Sequence, residues 1–310
     1  MSLQHQTHVS AESLERVVPK AGGPSPAPGG GMASQKFTKS LWRWLSYAAL
    51  AAVAIAMIAP FAFMLSTSFK PGTELYEVPI RWLPKTFTME NYAKAVTQVD
   101  LLRGTWNTLL IAVPSTVGGL LTAAFAGYAF AKMKFPFRDQ IFGMLLASMM
   151  LPGIITLIPQ FVMFAKIGWV DTYYPLIVPG MMGAAFAIFM MRQFFLSIPD
   201  ELIEAATLDG CNPFQTFTKV VFPLAGPALA TLAIFGFKGA WNDYFGPLIY
   251  ISSPDKFNIQ QMIAATQNAY GGEPAVLMAA AGLAMLPLVL LFFFAQRYFV
   301  EGVASTGMKN

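Results

Sequence analysis

The stretch PAVLMAAAGLAMLPLVLLFFFAQ, residues 274–296, contains no charged side chain over 23 residues. An α-helix rises about 1.5 Å per residue, so about 20 residues cross a hydrocarbon layer of about 30 Å. Five further stretches also lack charge, at 44–69, 104–131, 140–165, 172–191 and 220–237. Only 220–237 is shorter than 20 residues, and a span of about 220–240 requires Lys238, or Lys219 at its other end, to reach toward the membrane surface. The pattern predicts an all-α polytopic membrane protein with six transmembrane helices.

The composition of the 310-residue chain also indicates lipid as its main surroundings. Hydrophobic residues make up 55% of the sequence and charged residues 12%, whereas soluble domains carry about 25% charged residues. The net charge of +4 does not indicate nucleic-acid binding, because the basic residues are scattered singly and form no dense basic face. We therefore expect membrane lipid around the chain and no nucleic-acid partner.

Residue types that usually carry catalysis or bind metals are scarce. The one cysteine, Cys211, forms neither a disulfide framework nor a zinc pattern, and both histidines, His5 and His8, lie near the N-terminus. No G-x-x-x-x-G-K-[ST] phosphate loop occurs in the sequence. We therefore predict no catalytic residues, no metal site and no cofactor bound by this chain.

The sequence divides into a tail and a membrane domain. Residues 1–36, with the Gly/Pro linker AGGPSPAPGGG at 21–31, are predicted to form a disordered tail, and 37–310 the membrane domain. No apolar segment precedes the linker, so we expect no cleavable signal peptide. Six spans place both termini on one side, whose segments carry 12 Lys and Arg residues against 8 on the other. This bias, strongest in the loop KMKFPFRD at 132–139, favours cytoplasmic termini.

Proline and small residues recur within the predicted spans. Every uncharged stretch contains proline, which indicates either ordinary irregularity of membrane helices or hinge points in a moving bundle. In the second span small residues recur at a spacing of four, at Gly119, Ala123, Gly127 and Ala131. Such a stripe allows a neighbouring helix to approach closely, so we interpret it as structural.

The loop 192–219 contains a short helix with clear end signals. Ser197 and Asp200 have the spacing of a capping box, and Gly210 supplies a left-handed stop to the helix containing EAATLDG. A second helix is predicted from Asn212, with Pro213 and Gln215 in its first turn, running into the fifth span. Four acidic residues within 200–209, and no basic residue in 193–218, favour a protein partner over an anionic membrane surface.

The same loop resembles the motif of bacterial ABC-importer permeases. Glu204, Ala205 and Ala206 are followed at the family spacing by Gly210 and then by the V-x-F-P sequence that ends at Pro223, where the family more often has Ile and Leu for Val220 and Phe222. WLPKTFTMENY, AWNDYFGPLIY and the C-terminal QRYFVEGVASTGMKN are similar to the maltose-type carbohydrate importers, so the resemblance covers most of 75–310.

The resemblance implies a type I importer permease in the bacterial inner membrane. Its partners would be a sister permease, two ATP-binding subunits that use ATP and Mg, and an extracytoplasmic sugar-binding protein. The helix in 192–219 would be the coupling helix, with the ATPase-coupling residues Glu204, Ala205, Ala206, Asp209, Gly210 and Pro223. The loop at 251–273 would meet the binding protein, and Lys309 and Asn310 would reach the ATPase interface.

Two other functions are weaker on this sequence. Proton-coupled sugar carriers place acidic residues or histidine within spans, and all six uncharged stretches lack them. A membrane enzyme would gather His, Asp or Glu on one face, and no such cluster is evident.

Polar residues near span ends predict a substrate path through Asn107, Thr108, Asn242 and Asp243. The sequence leaves the sugar, or a related solute such as glycerol phosphate, open.

Overall fold

The computed structural model describes residues 32–269 and 273–307, and every regular element in these ranges is helical. This confirms the all-α prediction. Within these ranges the α-helices are α1 Met32–Ser68, α2 Glu90–Thr97, α3 Leu101–Lys132, α4 Arg138–Ser148, α5 Gly153–Lys166, α6 Tyr174–Met181, α7 Ala185–Leu196, α8 Asp200–Leu208, α9 Pro213–Thr216, α10 Phe222–Leu224, α11 Gly226–Trp241, α12 Phe245–Tyr250, α13 Ile259–Ala269 and α14 Pro274–Gly307. A π-helical turn, Phe217–Val221, joins α9 to α10, and 3₁₀ turns lie at Gly72–Glu74 and Pro254–Lys256.

In the described part of the chain, four helices are long and apolar enough to cross a membrane, and the number of spans rises to six if each of two bent helix pairs counts as one span. Four spans are Trp42–Ser68, Leu101–Lys132, Tyr174–Leu196 and Pro274–Gln296. The third and fifth uncharged stretches are not straight helices. Helices α4 and α5 meet at 97°, and the helical run Pro213–Leu224 meets α11 at 76°.

Proline accounts for the positions of both bends. Pro152 directly precedes α5, and a residue before proline is disfavoured in the helical region, so α4 cannot continue through it. At the second bend, the π-helical turn is followed by Pro223 and Pro227, which have no backbone N–H to donate within the helix. Helix α11 therefore begins at Gly226, beyond the bend, within the predicted fifth span of about 220–240.

The first helix changes the predicted boundary of the tail. Helix α1 begins at Met32, so residues 32–36 are helical, and the remainder of the predicted tail lies outside the described residues. The chain forms two units, the first ending at Ile58 and the second beginning at Ala59. Described side chains of the first unit from Trp42 to Ile58 are exposed within their unit, as expected of an apolar helix that meets lipid or another chain.

Helix α3 is the central helix of the second unit. A methyl group on Gly119 would lie 2.7 Å from the carbonyl oxygen of Gly180 in α6, and one on Gly127 would lie 2.6 Å from Cβ of Met191 in α7. Real Cβ atoms do not approach this closely, so glycine is required at both positions. These contacts agree with the structural interpretation of the small-residue stripe.

The loop between α5 and α6 is fixed by one carboxylate. Asp171 accepts hydrogen bonds from the backbone N–H groups of Ser252 and Ser253 at 3.0 and 2.9 Å and from the Ser253 hydroxyl, and Lys256 Nζ lies 2.9 Å from it. The Ser253 hydroxyl, the Lys256 ammonium and these backbone N–H groups hold the pKa of the Asp171 carboxyl well below its usual range. The loop is thereby tied to the segment that follows α12, at the end of the Tyr174–Leu196 span opposite the loop 192–219.

Replacing Asp171 with asparagine is expected to lower the stability of the purified protein by about 1 kcal/mol near neutral pH, because the ionised acceptor is lost. A depressed carboxyl pKa stabilises the fold above the unfolded value of 3.8, and this contribution diminishes as the pH falls below it. The difference in unfolding midpoint between the two proteins should therefore narrow below about pH 4. A difference that stays constant between pH 7 and pH 3 would contradict this assignment.

Candidate functional site

Helix α8 carries the EAATLDG sequence and begins differently from the sequence prediction. Ser197 is not its N-cap: the Ser197 hydroxyl donates to the carbonyl of Phe194 at 2.7 Å, and the residue has helical backbone angles at the end of α7. The extended residue before α8 is Pro199, which has no side-chain hydrogen bond to offer. Asp200 and Glu201 lie in the first turn, where their charge favours the exposed N–H groups. The capping-box prediction at Ser197 was wrong because the hydroxyl bonds backward.

The C-terminal end of α8 agrees with the prediction for Gly210. Gly210 has φ of 83°, and its N–H donates to the carbonyl of Thr207 at 3.0 Å. The N–H of Cys211 donates to the carbonyl of Ala206 at 2.9 Å. These two bonds form a Schellman motif, which requires a residue that tolerates positive φ at the position of Gly210.

The second helix of the loop begins as predicted. Asn212 Oδ1 accepts from the N–H of Gln215 at 2.9 Å, and Gln215 Oε1 accepts from the N–H of Asn212 at 3.0 Å. This is a reciprocal capping box with Pro213 in the first turn. Residues 200–216 therefore form two short helices with a well-defined joint between them, which makes the loop stiff.

One face of α8 is buried against neighbouring helices and the other is open. Ala206 is 6% exposed and Ile203 packs against the nearby hydrophobic cluster. Glu204 lies on the opposite face together with Leu208, which is 90% exposed. A carboxylate beside a bare leucine, one helical turn apart, is a surface suited to a protein partner.

The other predicted coupling residues occupy separate positions. Ala205 is exposed on the side of α8, Asp209 is the exposed C-cap residue, and Pro223 lies in α10 just before the bend. The sequence analysis did not name Leu208 as a candidate for partner binding. The one available signal was its spacing of four residues from Glu204, which places both residues on the face of α8 opposite Ala206. Lys309 and Asn310 lie outside the described residues.

Lys132 attaches the start of α8 to the end of α3. Its ammonium donates to Asp200 Oδ1 at 2.6 Å and to the carbonyl of Ile198 at 2.7 Å, and the side chain is 8% exposed. The Asp200 side chain is 75% exposed, so the ion pair is partly screened by solvent. The buried ammonium nevertheless joins the α7–α8 connection to the central helix.

An aromatic cluster attaches the other end of the loop to the same helix. The ring of Phe217, directly after α9, lies 4.8 Å from Phe125 and 5.0 Å from Tyr128 of α3, centroid to centroid. Phe195 of α7 lies 6.0 Å from Tyr128 and 6.3 Å from Phe217. Since the loop is held at both ends, displacement of α8 would be transmitted to α3 and α7.

A cavity of about 380 Å³ lies between α3, α6, α7, α11 and α12. Two of the four predicted substrate-path residues, Thr108 and Asp243, line this cavity. The other two, Asn107 and Asn242, do not. Asn107 donates to the carbonyls of Asp255 and Phe257, both at 2.9 Å, and Asn242 is the exposed C-cap residue of α11. The two hydrogen bonds of Asn107 hold the segment before α13 against α3.

In the described part of the chain, no group of three or more His, Cys, Asp or Glu side chains is placed to hold a metal ion.

The loop predicted at 251–273 is partly helical, since α13 occupies Ile259–Ala269. Asn258 caps α13 and donates to the carbonyl of Asp243 at 2.6 Å. This segment is therefore joined to the rim of the cavity.

Comparison with known proteins agrees with this architecture. The chain is 34% identical over 277 residues to an arabinooligosaccharides transport system permease protein, AraQ, of Halalkalibacterium halodurans, an alignment covering 88% of this chain and 99% of that protein. It is 31% identical over 268 residues to the sn-glycerol-3-phosphate transport system permease protein UgpE of Brucella abortus, covering 81% and 92%. Its fold matches a chain of a bacterial ABC transporter involved in alginate import, with a TM-score of 0.76, 23% identity and coverage of 88% and 100%.

A family model described as "Binding-protein-dependent transport system inner membrane component" matches residues 105–305, a range that contains the whole loop 192–219 and the cavity. The matched range therefore includes most of the membrane-crossing helices, the stiff loop with one open face, and the central cavity. Members of this family are transport subunits, and ATP hydrolysis is carried out by a separate subunit. The chain belongs to the family of inner-membrane permease components of binding-protein-dependent ABC transport systems.

Proposed function

We propose that this permease imports a carbohydrate across the bacterial cytoplasmic membrane by alternating access, driven by ATP hydrolysis in a partner chain. The observation that carries the proposal is the doubly capped loop 200–216, which exposes Glu204 and Leu208 and is fixed to the central helix at both ends. The carbohydrate is supported by the resemblance to maltose-type importers and by the relative named for arabinooligosaccharides. The relative named for sn-glycerol-3-phosphate leaves neutral and acidic solutes open.

The partners in this proposal are a sister permease, two ATP-binding subunits and an extracytoplasmic sugar-binding protein. Helix α8 is the coupling helix and faces the cytoplasm, where one ATP-binding subunit holds its open face. The segment 251–269 lies on the opposite side, where the binding protein delivers the sugar. ATP and Mg are bound by the partner, and the residues of this chain transmit the motion.

The mechanism requires a stiff connection. Moving a two-state equilibrium from 1:99 to 99:1 takes about 5.5 kcal/mol of differential binding free energy. A flexible loop would lose much of this as local motion. Helices α8 and α9, with a Schellman stop at Gly210, a capping box at Asn212 and anchors on α3 and α7, move as one body and carry the bundle with them.

The proposal is tested by reconstituting the chain with its sister permease, the two ATP-binding subunits and the sugar-loaded binding protein in liposomes. We expect ATP hydrolysis that is stimulated by the loaded binding protein and is accompanied by sugar uptake. The matched control is this chain purified alone. Measurable ATP hydrolysis by the control, or uptake without the ATP-binding subunits, would refute the proposal.

Replacing Lys132 with methionine is expected to reduce sugar uptake several-fold while ATP hydrolysis continues, because α8 then moves without carrying α3. Methionine keeps the length of the buried stem and removes both hydrogen bonds of the ammonium. The matched control is Lys134→Met, which removes an exposed lysine two residues further along. Equal ratios of sugar imported to ATP hydrolysed in the two variants would contradict a transmitting role for Lys132.

A further inference from the structure

The cavity described above has an unusual balance of charge. Its volume of about 380 Å³ lies at the small end of the range of ligand pockets, about 300–1,000 Å³. Among its lining residues, all within the described part of the chain, Asp243 is the one with an ionisable side chain, and no lysine, arginine or histidine contributes. Lys238, the nearest basic residue along α11, is exposed and does not line the cavity.

Most polar side chains on the cavity wall are already engaged. Three of them are bonded within the protein: Thr108 bonds to Gly104 and Ile259, Ser115 to Ile111, and Asn258 to Asp243 and Gln261. These groups shape the wall and have little capacity left for a ligand.

One polar group on the wall remains available. Asp243 Oδ1 accepts from the N–H of Gly246 at 3.1 Å, which caps α12, while no donor in the described chain reaches Oδ2. The hydroxyl of Thr116 has no hydrogen-bond partner among the described residues, but its oxygen is covered by protein atoms, so a solute in the cavity does not reach it.

We infer that this cavity binds a neutral polyhydroxy solute and excludes solutes that carry phosphate or carboxylate groups. A sugar hydroxyl can donate to the free oxygen of Asp243. An anionic group at the same place would meet a carboxylate of like charge with no cation on the wall to offset it. The inference rests on the proposed function and narrows its substrate class.

The apolar part of the wall fits the same class of solute. Ile111, Leu120, Leu176 and Leu232 line the cavity together with several glycines. A sugar ring presents C–H groups on its faces and hydroxyl groups on its edges, so such a wall covers a ring face while the free oxygen of Asp243 meets its edge.

The test uses the complete reconstituted complex and three labelled probes: a neutral pentose oligosaccharide, a uronate oligosaccharide and sn-glycerol 3-phosphate. Each probe is enclosed with excess binding protein of matching specificity, so that selection by this chain limits uptake. We expect uptake of the neutral probe to exceed that of either anion at least tenfold. Equal or preferential uptake of an anionic probe overturns the inference and leaves the proposed function intact. Uptake of none of the probes by a complex that hydrolyses ATP overturns both.

One variant connects this selectivity to the cavity. Asp243→Asn keeps an oxygen for the N–H of Gly246 and removes the charge, and it should reduce neutral uptake several-fold and narrow the difference from the anions. Wild-type uptake and selectivity in Asp243→Asn would overturn the inference.

Discussion

Sugar uptake should fall at least tenfold when Gly210 is replaced by valine, with the variant still inserted in the membrane. Gly210 has φ of 83°, a backbone conformation that β-branched residues rarely adopt. The left-handed region costs ordinary residues roughly 1–2 kcal/mol, and valine more, so the Schellman bonds from Gly210 and Cys211 would be lost in most molecules. A tenfold change corresponds to about 1.4 kcal/mol, so this penalty is sufficient to disorder the joint between α8 and α9.

The control for this prediction separates backbone strain from crowding. A Cβ atom at Gly210 would meet nothing within 4 Å, so no side chain clashes there and the penalty depends on φ alone. Asparagine tolerates the left-handed region better than other non-glycine residues, so Gly210→Asn should keep most of the uptake and Gly210→Ala should be intermediate. Uptake by Gly210→Val equal to that of Gly210→Asn would contradict a role for the positive φ.

Several features of the fold were predictable because they depend on local physics. Six charge-free stretches indicate helices in lipid, since a charge in the hydrocarbon layer is costly wherever it lies. Gly210 and Asn212 were assigned correctly because glycine tolerates positive φ and asparagine accepts from the backbone three residues on. The role of the small-residue stripe containing Gly119 was also predictable. Small residues at a spacing of four leave room on one helix face, and a neighbouring helix fills that room by approaching closely.

Other features depend on contacts between distant segments and were not predictable. The sequence shows proline at 152 and 223 but does not show whether a helix kinks slightly or turns by 97° or 76°. Ser197 matches a capping box in sequence, yet its hydroxyl bonds backward because α7 extends to Leu196. The bond from Lys132 to Asp200 joins residues 68 apart, and only the fold brings them together.

The candidate solute cavity illustrates the same limit. Asn107 and Thr108 are adjacent and equally polar in sequence, but they point to different surroundings because successive helical residues are about 100° apart. Thr108 lines the cavity and Asn107 bonds to the segment before α13. Thr116 carried no signal of its own in the sequence, since an unpartnered hydroxyl is recognisable only when its neighbours are known.

Replacing Leu208 with aspartate should weaken association with the ATP-binding subunits by about 30-fold or more and abolish ATP-driven uptake. Leu208 is 90% exposed on the open face of α8, one turn from Glu204, and full burial of a leucine side chain in a partner's pocket contributes about 1.5–3 kcal/mol. The substitution also places a new charge where the interface excludes water. Co-purification of the ATP-binding subunits with the tagged permease measures the association directly.

The control for Leu208 follows from the fold. Leu83 is 77% exposed in the segment between α1 and α2, at the end of α3 opposite Lys132, so Leu83→Asp makes the same chemical change away from the proposed ATPase side. Because Leu208 contributes little to packing within this chain, Leu208→Asp should be inserted in normal amounts and keep its thermal stability. Retained stability with lost association locates the defect at the docking face. Normal co-purification of Leu208→Asp would mean that the partner holds α8 elsewhere, and would remove Leu208 from the docking face.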